Sequence, residues 1–189
     1  MTEPSLKFIE RDITICLHAG SDAKVVENQM KALEPLGERL NINWNNRIDR
    51  RPKAYDSYSE LVNEAVATSP TETIILVNDR VVPNPNEVLF MLQMLQRGYA
   101  VASQWSVAYM AVTKELFRTI GWFDQRFYGG GCEDDDFALR LRLANLAYFE
   151  AASCQYDQDW KSPLLKKEGA KCAISGPYFH RKWMQTPNE

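Results

Sequence analysis

Thr73-Ile74-Ile75-Leu76-Val77-Asn78-Asp79-Arg80 is the stretch from which the rest of the chain can be read. Its first five residues are apolar or β-branched without alternation, the pattern of a strand covered on both faces in the middle of a sheet. An acidic residue follows at the carboxyl end of that strand, and open α/β sheets bind ligands outside such ends. The pattern therefore predicts a central strand that delivers Asn78, Asp79 and Arg80 to a binding edge, with Pro83 beyond them.

Upstream, Ile13-Thr14-Ile15-Cys16-Leu17 reads as a buried first strand that ends in the turn signal His18-Ala19-Gly20-Ser21. Ser21 or Asp22 caps a helix in which Val26, Met30 and Leu33 share a face, and Pro35 with Gly37 ends it. Asn41-Ile42-Asn43-Trp44-Asn45-Asn46 reads as a second strand running into Arg47-Ile48-Asp49-Arg50-Arg51-Pro52-Lys53, a locally basic stretch that on its own is a solvated loop. Ser57-Tyr58-Ser59-Glu60 fits a capping box, and Leu61, Val62, Ala65 and Val66 give the helix behind it an apolar stripe.

Downstream, Asn84 and Pro85 open a helix lined by Val88, Met91, Leu92 and Leu95, and Gly98 closes it. Residues 99–103 and 107–112 read as strands, and a short helix from Lys114 to Ile120 stops at Gly121. The alternation of strand and helix through about residue 103 predicts an α/β sheet layered by helices. Beyond residue 145 the chain reads as its least regular part, with no internal repeat, low-complexity segment or linker anywhere.

The second acidic feature is Gly129-Gly130-Gly131-Cys132-Glu133-Asp134-Asp135-Asp136-Phe137-Ala138-Leu139-Arg140. Asp and Glu complement the dipole of a first helical turn, but one or two suffice, and four in a row repel one another. A metal ion, a cationic partner or a bound proton would hold them, and such clusters are where a raised pKa yields a general base. Phe137, Leu141 and Ala144 form one apolar row with Leu139, Leu143 and Leu146 beside it, which predicts a deeply buried helix.

A chain of 189 residues, 45% hydrophobic and 25% charged, with a net charge of -3, is sized and composed like one soluble globular domain. That charge argues against a nucleic-acid-binding protein. No apolar stretch reaches membrane-spanning length and the first residues lack a signal core, so a cytoplasmic location is expected. Cys16, Cys132, Cys154 and Cys172 are too scattered for a zinc site or a disulfide scaffold and read as reduced thiols, Cys132 as a packing residue.

Taken together, these features resemble the nucleotide-sugar glycosyltransferases of the GT-A fold, most closely glycosyltransferase family 2. Residues 57–83 are similar to that family's helix with an internal Asn (here Asn63), hydrophobic strand and "DxD" region. Residues 109–140 resemble its "F..IGGFDE.F....EDxDL..R" stretch through Phe117, Ile120-Gly121-Trp122-Phe123-Asp124, Phe127, Glu133-Asp134-Asp135-Asp136-Phe137 and Arg140. The acidic run after glycines is also similar to the β-1,4-galactosyltransferases. The resemblance implies a Rossmann-like three-layer sandwich on a mixed, mostly parallel sheet, spanning 1–189 as a single domain. There are two departures. Arg80 stands where the family often has Asp, and little chain follows residue 145, so the acceptor is small or the chain is one module of a longer protein.

The implied activity is transfer of a sugar (a hexosyltransferase-type reaction) from a UDP-sugar to a carbohydrate or other hydroxyl acceptor, with inversion. Asp134 is the implied general base, and Mn²⁺ or Mg²⁺ sits between the diphosphate and Asp79. His180 has two readings: a metal ligand, as in several GT-A enzymes, or the structural role commoner for a lone histidine near a terminus. The nucleotide is expected near His18, Ala19, Asn46, Asp49, Asn78, Asp79 and Arg80, and its phosphates near Arg50, Arg51 or Lys53. Glu133 and Asp136 are expected on acceptor or backbone, while for Asp135 and Asp136 dipole complementarity alone serves equally well. Trp105 and Trp122 are expected to shape the site by stacking on sugar rings, with core packing the fate of at least one.

Two other classes fit part of the pattern. A sugar nucleotidyltransferase also uses an α/β sheet and metal-bound carboxylates, but needs a glycine-rich phosphate loop, and the turn after the first strand has a single glycine. A non-catalytic nucleotide-sugar-binding module would account for Arg80 as the mark of a lost metal site.

Overall fold

The computed structural model describes residues 12–19, 23–48, 58–127, 131–151, 155–156 and 168–184. Its elements are β1 (Asp12–Ala19), α1 (Ala23–Leu33), a 3₁₀ turn (Glu34–Glu38), β2 (Asn41–Ile48), α2 (Tyr58–Thr68), β3 (Thr73–Asn78), β4 (Val81–Val82) and α3 (Pro85–Gln96). They are followed by β5 (Val101–Trp105), β6 (Tyr109–Thr113), α4 (Lys114–Ile120), α5 (Glu133–Leu143), β7 (Tyr148–Glu150), β8 (Gln155–Tyr156) and α6 (Glu168–Trp183). Six strands form one sheet in the order β2-β1-β3-β6-β5-β7, and β4 pairs with β8 separately. β2, β1 and β3 are parallel, β6 runs against both β3 and β5, and β7 is parallel to β5. This is the mixed, mostly parallel sheet the sequence led us to expect.

The unbroken apolar runs are explained by burial on both faces. Ile13, Ile15, Leu17, Ile75 and Val77 pack with Val26 and Leu33 of α1 and Val88 and Met91 of α3. Cys16, Ile74 and Leu76 point the other way, onto Val62, Ala65 and Val66 of α2, Phe117 of α4, and Phe137 and Leu141 of α5. Successive strand side chains face opposite layers, so β1 and β3 have no solvent face, and a polar residue such as Thr14 is buried with a hydrogen-bond partner, Thr71 Oγ1 at 2.7 Å.

Local signals set several ends. Asn84 caps α3 in a full capping box with Glu87, Pro85 takes the first turn, and Gly98 (φ +93°) closes it. There the Tyr99 N–H donates to Met94 O and that of Gly98 to Leu95 O, a Schellman arrangement. α5 ends the same way with Asn145 (φ +53°) in glycine's place, the Leu146 N–H reaching Leu141 O. Gly121 closes α4 at φ +84°. The expected caps at Ser21, Asp22 and Ser57 lie outside the described residues.

Three sequence expectations are corrected. α5 is half-buried rather than deeply buried. Phe137 and Leu141 enter the core, but Leu143 is 68% exposed and Ala144 and Leu146 lie beyond the helix end. The alternation of the last residues is set by the Asn145 turn rather than by helical period. The two strands after α3 are displaced by two residues, because Tyr99 and Ala100 belong to the turn and Val107 to the β5–β6 connection. The irregular tail contains the 16-residue helix α6, with Pro177 inside it.

What holds α6 is a pair of carboxylates. Asp136, fully buried, accepts from Trp183 Nε1 at 2.8 Å and Lys182 Nζ at 2.6 Å on one oxygen, and from Arg140 Nε at 3.0 Å on the other. Asp124 accepts from Tyr178 Oη and Lys182 Nζ, both at 2.8 Å, and from Arg126. Burial opposes the charge on Asp124, but Arg126, Lys182 and Tyr178 together hold its carboxyl well below the usual range. Arg140 also donates to Ile120 O and Gly121 O, both at 2.9 Å, tying α5 to the end of α4. Asp136→Ala leaves Lys182 and Arg140 facing each other across an emptied site. We expect it to lower the unfolding free energy in urea by about 3–5 kcal/mol. A loss under about 1 kcal/mol, typical of exposed pairs, would contradict this account.

Candidate active site

The carboxyl ends of β1, β2 and β3 fall in register, with His18 opposite both Arg47 and Asn78. Because β6 is reversed, its first residue, Tyr109, and the last of β5, Trp105, reach the same edge. The turn carrying Asp79 is built there by two side chains. Asn78 Oδ1 accepts from the Arg80 N–H at 3.1 Å, bending the backbone behind β3. From below, the buried Gln29 of α1 donates to Asn78 O at 2.8 Å and Val81 O at 2.9 Å, gripping the carbonyls on both sides of Asp79-Arg80.

The acidic start of α5 acts on this edge electrostatically, through Tyr58. The Tyr58 hydroxyl donates to Val107 O at 3.1 Å, and its ring lies edge-on to His18 at 6.3 Å. Burial drives the Tyr58 phenol far above its ordinary range, and the charges of Glu133, Asp79 and Asp134 push it further. A hydrogen bond with Asn78 offsets this only in part. One phenol thus sits in the fields of both acidic features of the sequence.

Asp134 itself is raised, first by burial and then by the neighbouring charge of Asp135. α5 lacks a capping side chain, because its N-cap is Cys132 at φ +66°. Asp134 supplies the missing acceptor, its Oδ1 taking the Asp135 N–H at 3.0 Å, which counters the rise in pKa. Its field also reaches Tyr148 of β7, whose phenol is pushed up to about 12, mainly by burial and Glu150. The four acids therefore separate into roles that their identical chemistry conceals. Glu133 and Asp134 are half-buried beside Tyr58, Asp135 is exposed, and Asp136 faces inward to hold α6.

Other expected residues are placed as follows. His18 is buried against Tyr58, so any donor contact from it must come through its backbone. Ala19 ends β1, and Asn46 is exposed with its amide on Met30 Sδ at 3.2 Å. Trp105 presents its ring to the Arg80 guanidinium, 5.5 Å from the centroid, so this face is closed to a sugar. Trp122, 46% exposed, stacks on Phe117. It lines a groove of about 870 Å³ with Glu60, Glu64, Gln125 and Arg126, which includes neither Asp79 nor Asp134. His180 is exposed on α6, and no contact joins it to Asp79 among the described residues. No three His, Cys, Asp or Glu side chains among the described residues gather as a metal cluster. Asp49, Arg50, Arg51 and Lys53 lie outside the described residues. Sequence reasoning missed Gln29 and Tyr58. A glutamine between Val26 and Met30 on an otherwise apolar helix face was the available signal for the first.

Comparison with known proteins now adds to this geometry. Mannosyl-3-phosphoglycerate synthase from Rubrobacter xylanophilus superposes with a TM-score of 0.63 at 9% identity, over 94% of this chain and 77% of that one. The catalytic domain of Drosophila β1,4-galactosyltransferase 7, solved with xylobiose, gives 0.54 at 12% identity over 85% and 80%. A mutant of the same enzyme, solved with manganese, UDP-Gal and xylobiose, gives 0.56 at 12% identity over 85% and 73%. The fold is that of the GT-A glycosyltransferases. Residues 93–158, from the end of α3 through β8, match the family model described as the N-terminal domain of galactosyltransferase. A search of curated protein sequences finds no match. No helix among the described residues is long and apolar enough to cross a membrane.

Burial of Asp134 has a measurable cost. Its native pKa lies above the unfolded value, so the native state binds more protons as pH rises between the two, and stability falls across that window. Asp134→Asn removes the penalty. The variant should melt above the parent at pH 7, and the gap should close below about pH 4, where the carboxyl is protonated in both states. Equal melting temperatures at both pH values would show that Asp134 is not desolvated.

Proposed function

We propose that the chain transfers a hexose from a nucleotide diphosphate sugar, in the first instance a UDP-sugar, to a hydroxyl of a carbohydrate or similar small acceptor. The observation that carries this reading is Tyr58, which lies within electrostatic reach of Asp79, Glu133 and Asp134 at once. On this reading the strand-end acid and the helix-start acid, whose charges both act on that one phenol, border a common cleft at the carboxyl edge of the sheet. The galactosyltransferase match over residues 93–158 spans the second of them.

Asp134 is the general base. A half-buried carboxylate of raised pKa suits proton removal near neutral pH. The acceptor oxygen attacks the anomeric carbon from the face opposite the phosphate and its proton passes to Asp134. The bond from that carbon to the phosphate oxygen breaks, and the nucleotide diphosphate leaves with the electron pair. A single displacement inverts configuration. Tyr58 and Gln29 act as positioning residues, the one between the two acids and the other beneath the Asp79 turn.

Asp79 alone fits a divalent ion in one mode. Mg²⁺ and its relatives are often held by one or two carboxylates plus substrate phosphates rather than by an all-protein cage. We therefore assign Asp79 as the protein ligand of Mn²⁺ or Mg²⁺, which when bound would neutralise charge on the leaving diphosphate. We do not retain His180 in that role.

Incubating the full chain with a panel of nucleotide sugars and simple saccharides in Mn²⁺ should release the nucleoside diphosphate in step with a glycosylated product. Asp134→Asn should lower turnover by about 10²–10⁴-fold while leaving donor affinity nearly intact. The acid limb of the kcat/KM profile should lie above the ordinary carboxylate range, because a raised pKa keeps the base protonated to higher pH. Full turnover by Asp134→Asn would remove the proposed base.

A further inference from the structure

We propose that Arg80 is the protein's own cation for the diphosphate, so that a nucleoside diphosphate binds at this edge without a divalent ion. The inference rests on the glycosyltransferase reading and extends it to how the leaving group is recognised.

Three observations carry it. The position is fixed: Arg80 follows Asp79 in a turn held by Asn78 Oδ1 and gripped from beneath by Gln29. The side chain has a defined direction too. From the end of β3 it reaches past β6 to Trp105 at the end of β5, its guanidinium 5.5 Å from the indole centroid. It therefore spans the carboxyl edge where a diphosphate would lie.

The third observation is the missing counter-ion. Arg118, Arg126 and Arg140 are ion-paired, and Arg39, Arg97, Arg142 and Arg181, which make no ion pair among the described residues, are all exposed to water. Arg80 adjoins Asp79 in sequence, yet makes no ion pair among the described residues, and its Nε is buried without a hydrogen-bond partner. A stack on indole is a weaker attraction than a hydrogen-bonded ion pair, and a buried donor left unmade is a cost that a bound anion would relieve. A planar guanidinium presents paired N–H groups that match phosphate oxygens bidentately, which an ammonium cannot do. Arg80 thus offers a phosphate site, leaving Asp79 for any ion that adds to it.

Calorimetric titration of the full chain with UDP and GDP, first in EDTA and then in Mn²⁺, tests this. The parent should bind a nucleoside diphosphate in EDTA, and Arg80→Gln should weaken that binding by about tenfold or more. Arg80→Lys should fall between them, because it keeps the charge but not the fork. Asp79→Asn should bind as tightly as the parent in EDTA, or more tightly, and lose only the enhancement given by Mn²⁺. UMP should discriminate little between the parent and Arg80→Gln. Thermal melts of each variant confirm that the fold persists. Equal affinity of the parent and Arg80→Gln for UDP and GDP in EDTA would overturn the inference, as would binding by the parent only in Mn²⁺, while leaving the transferase reading in place. No binding of either diphosphate under either condition would overturn both.

Discussion

A carboxylate without exposed surface, Asp136, receives an arginine, a lysine and an indole N–H, and through them three helices are fastened together. Arg140 carries the connection to the end of α4, Lys182 to Asp124, and Trp183 closes α6 over the pair. Because Asp136 lies two residues after Asp134, the helical turn that anchors the inner acid leaves the outer one on a different face, where its charge acts on Tyr58.

The division of labour among Glu133, Asp134, Asp135 and Asp136 follows from helical geometry. Successive residues turn by about 100°, so four adjacent acids cannot share an environment. One is exposed, one is buried among cations, and two face an edge already bearing Asp79. Repulsion is relieved by distributing the charges around the helix, and by the cations that take Asp136 out of the cleft. The raised pKa of Asp134 comes first from burial and then from the charge of Asp135 that stays beside it.

Features written in local chemistry could be read directly. The Asn84 cap of α3, its proline and its closing glycine marked both ends of that helix, and the apolar runs of β1 and β3 read as strands covered on both faces. The two acidic motifs of the proposed site, Asp79 and residues 133–136, were legible as sequence. The part of the site that depends on contacts between distant segments was not. Tyr58 looked like a member of a capping box, and Gln29 like a lapse in an apolar stripe. α6 looked irregular because its attachment is polar and its partners lie about fifty residues away. The Asp136–Arg140 pair, four residues apart and flanked by Phe137 and Leu141, was the one clue that this acid faces inward. For Trp105 the sequence left a sugar stack and core packing both open, and it does not reveal the contact with Arg80.

The reversed strand has a consequence for how such a site can diverge. Parallel strands must be joined by crossovers that carry whole helices, so altering those connections disturbs the layers. The β5–β6 connection is a hairpin of residues 106–108 that opens onto the same rim, with Ser106 at φ +42° held by Ser103 and Glu150. Closing a flexible loop costs only about 0.6 kcal/mol more for each doubling of its length. Insertions at this bend could therefore reshape the mouth of the cleft while every strand keeps its register, leaving the sheet a constant frame beneath a variable rim.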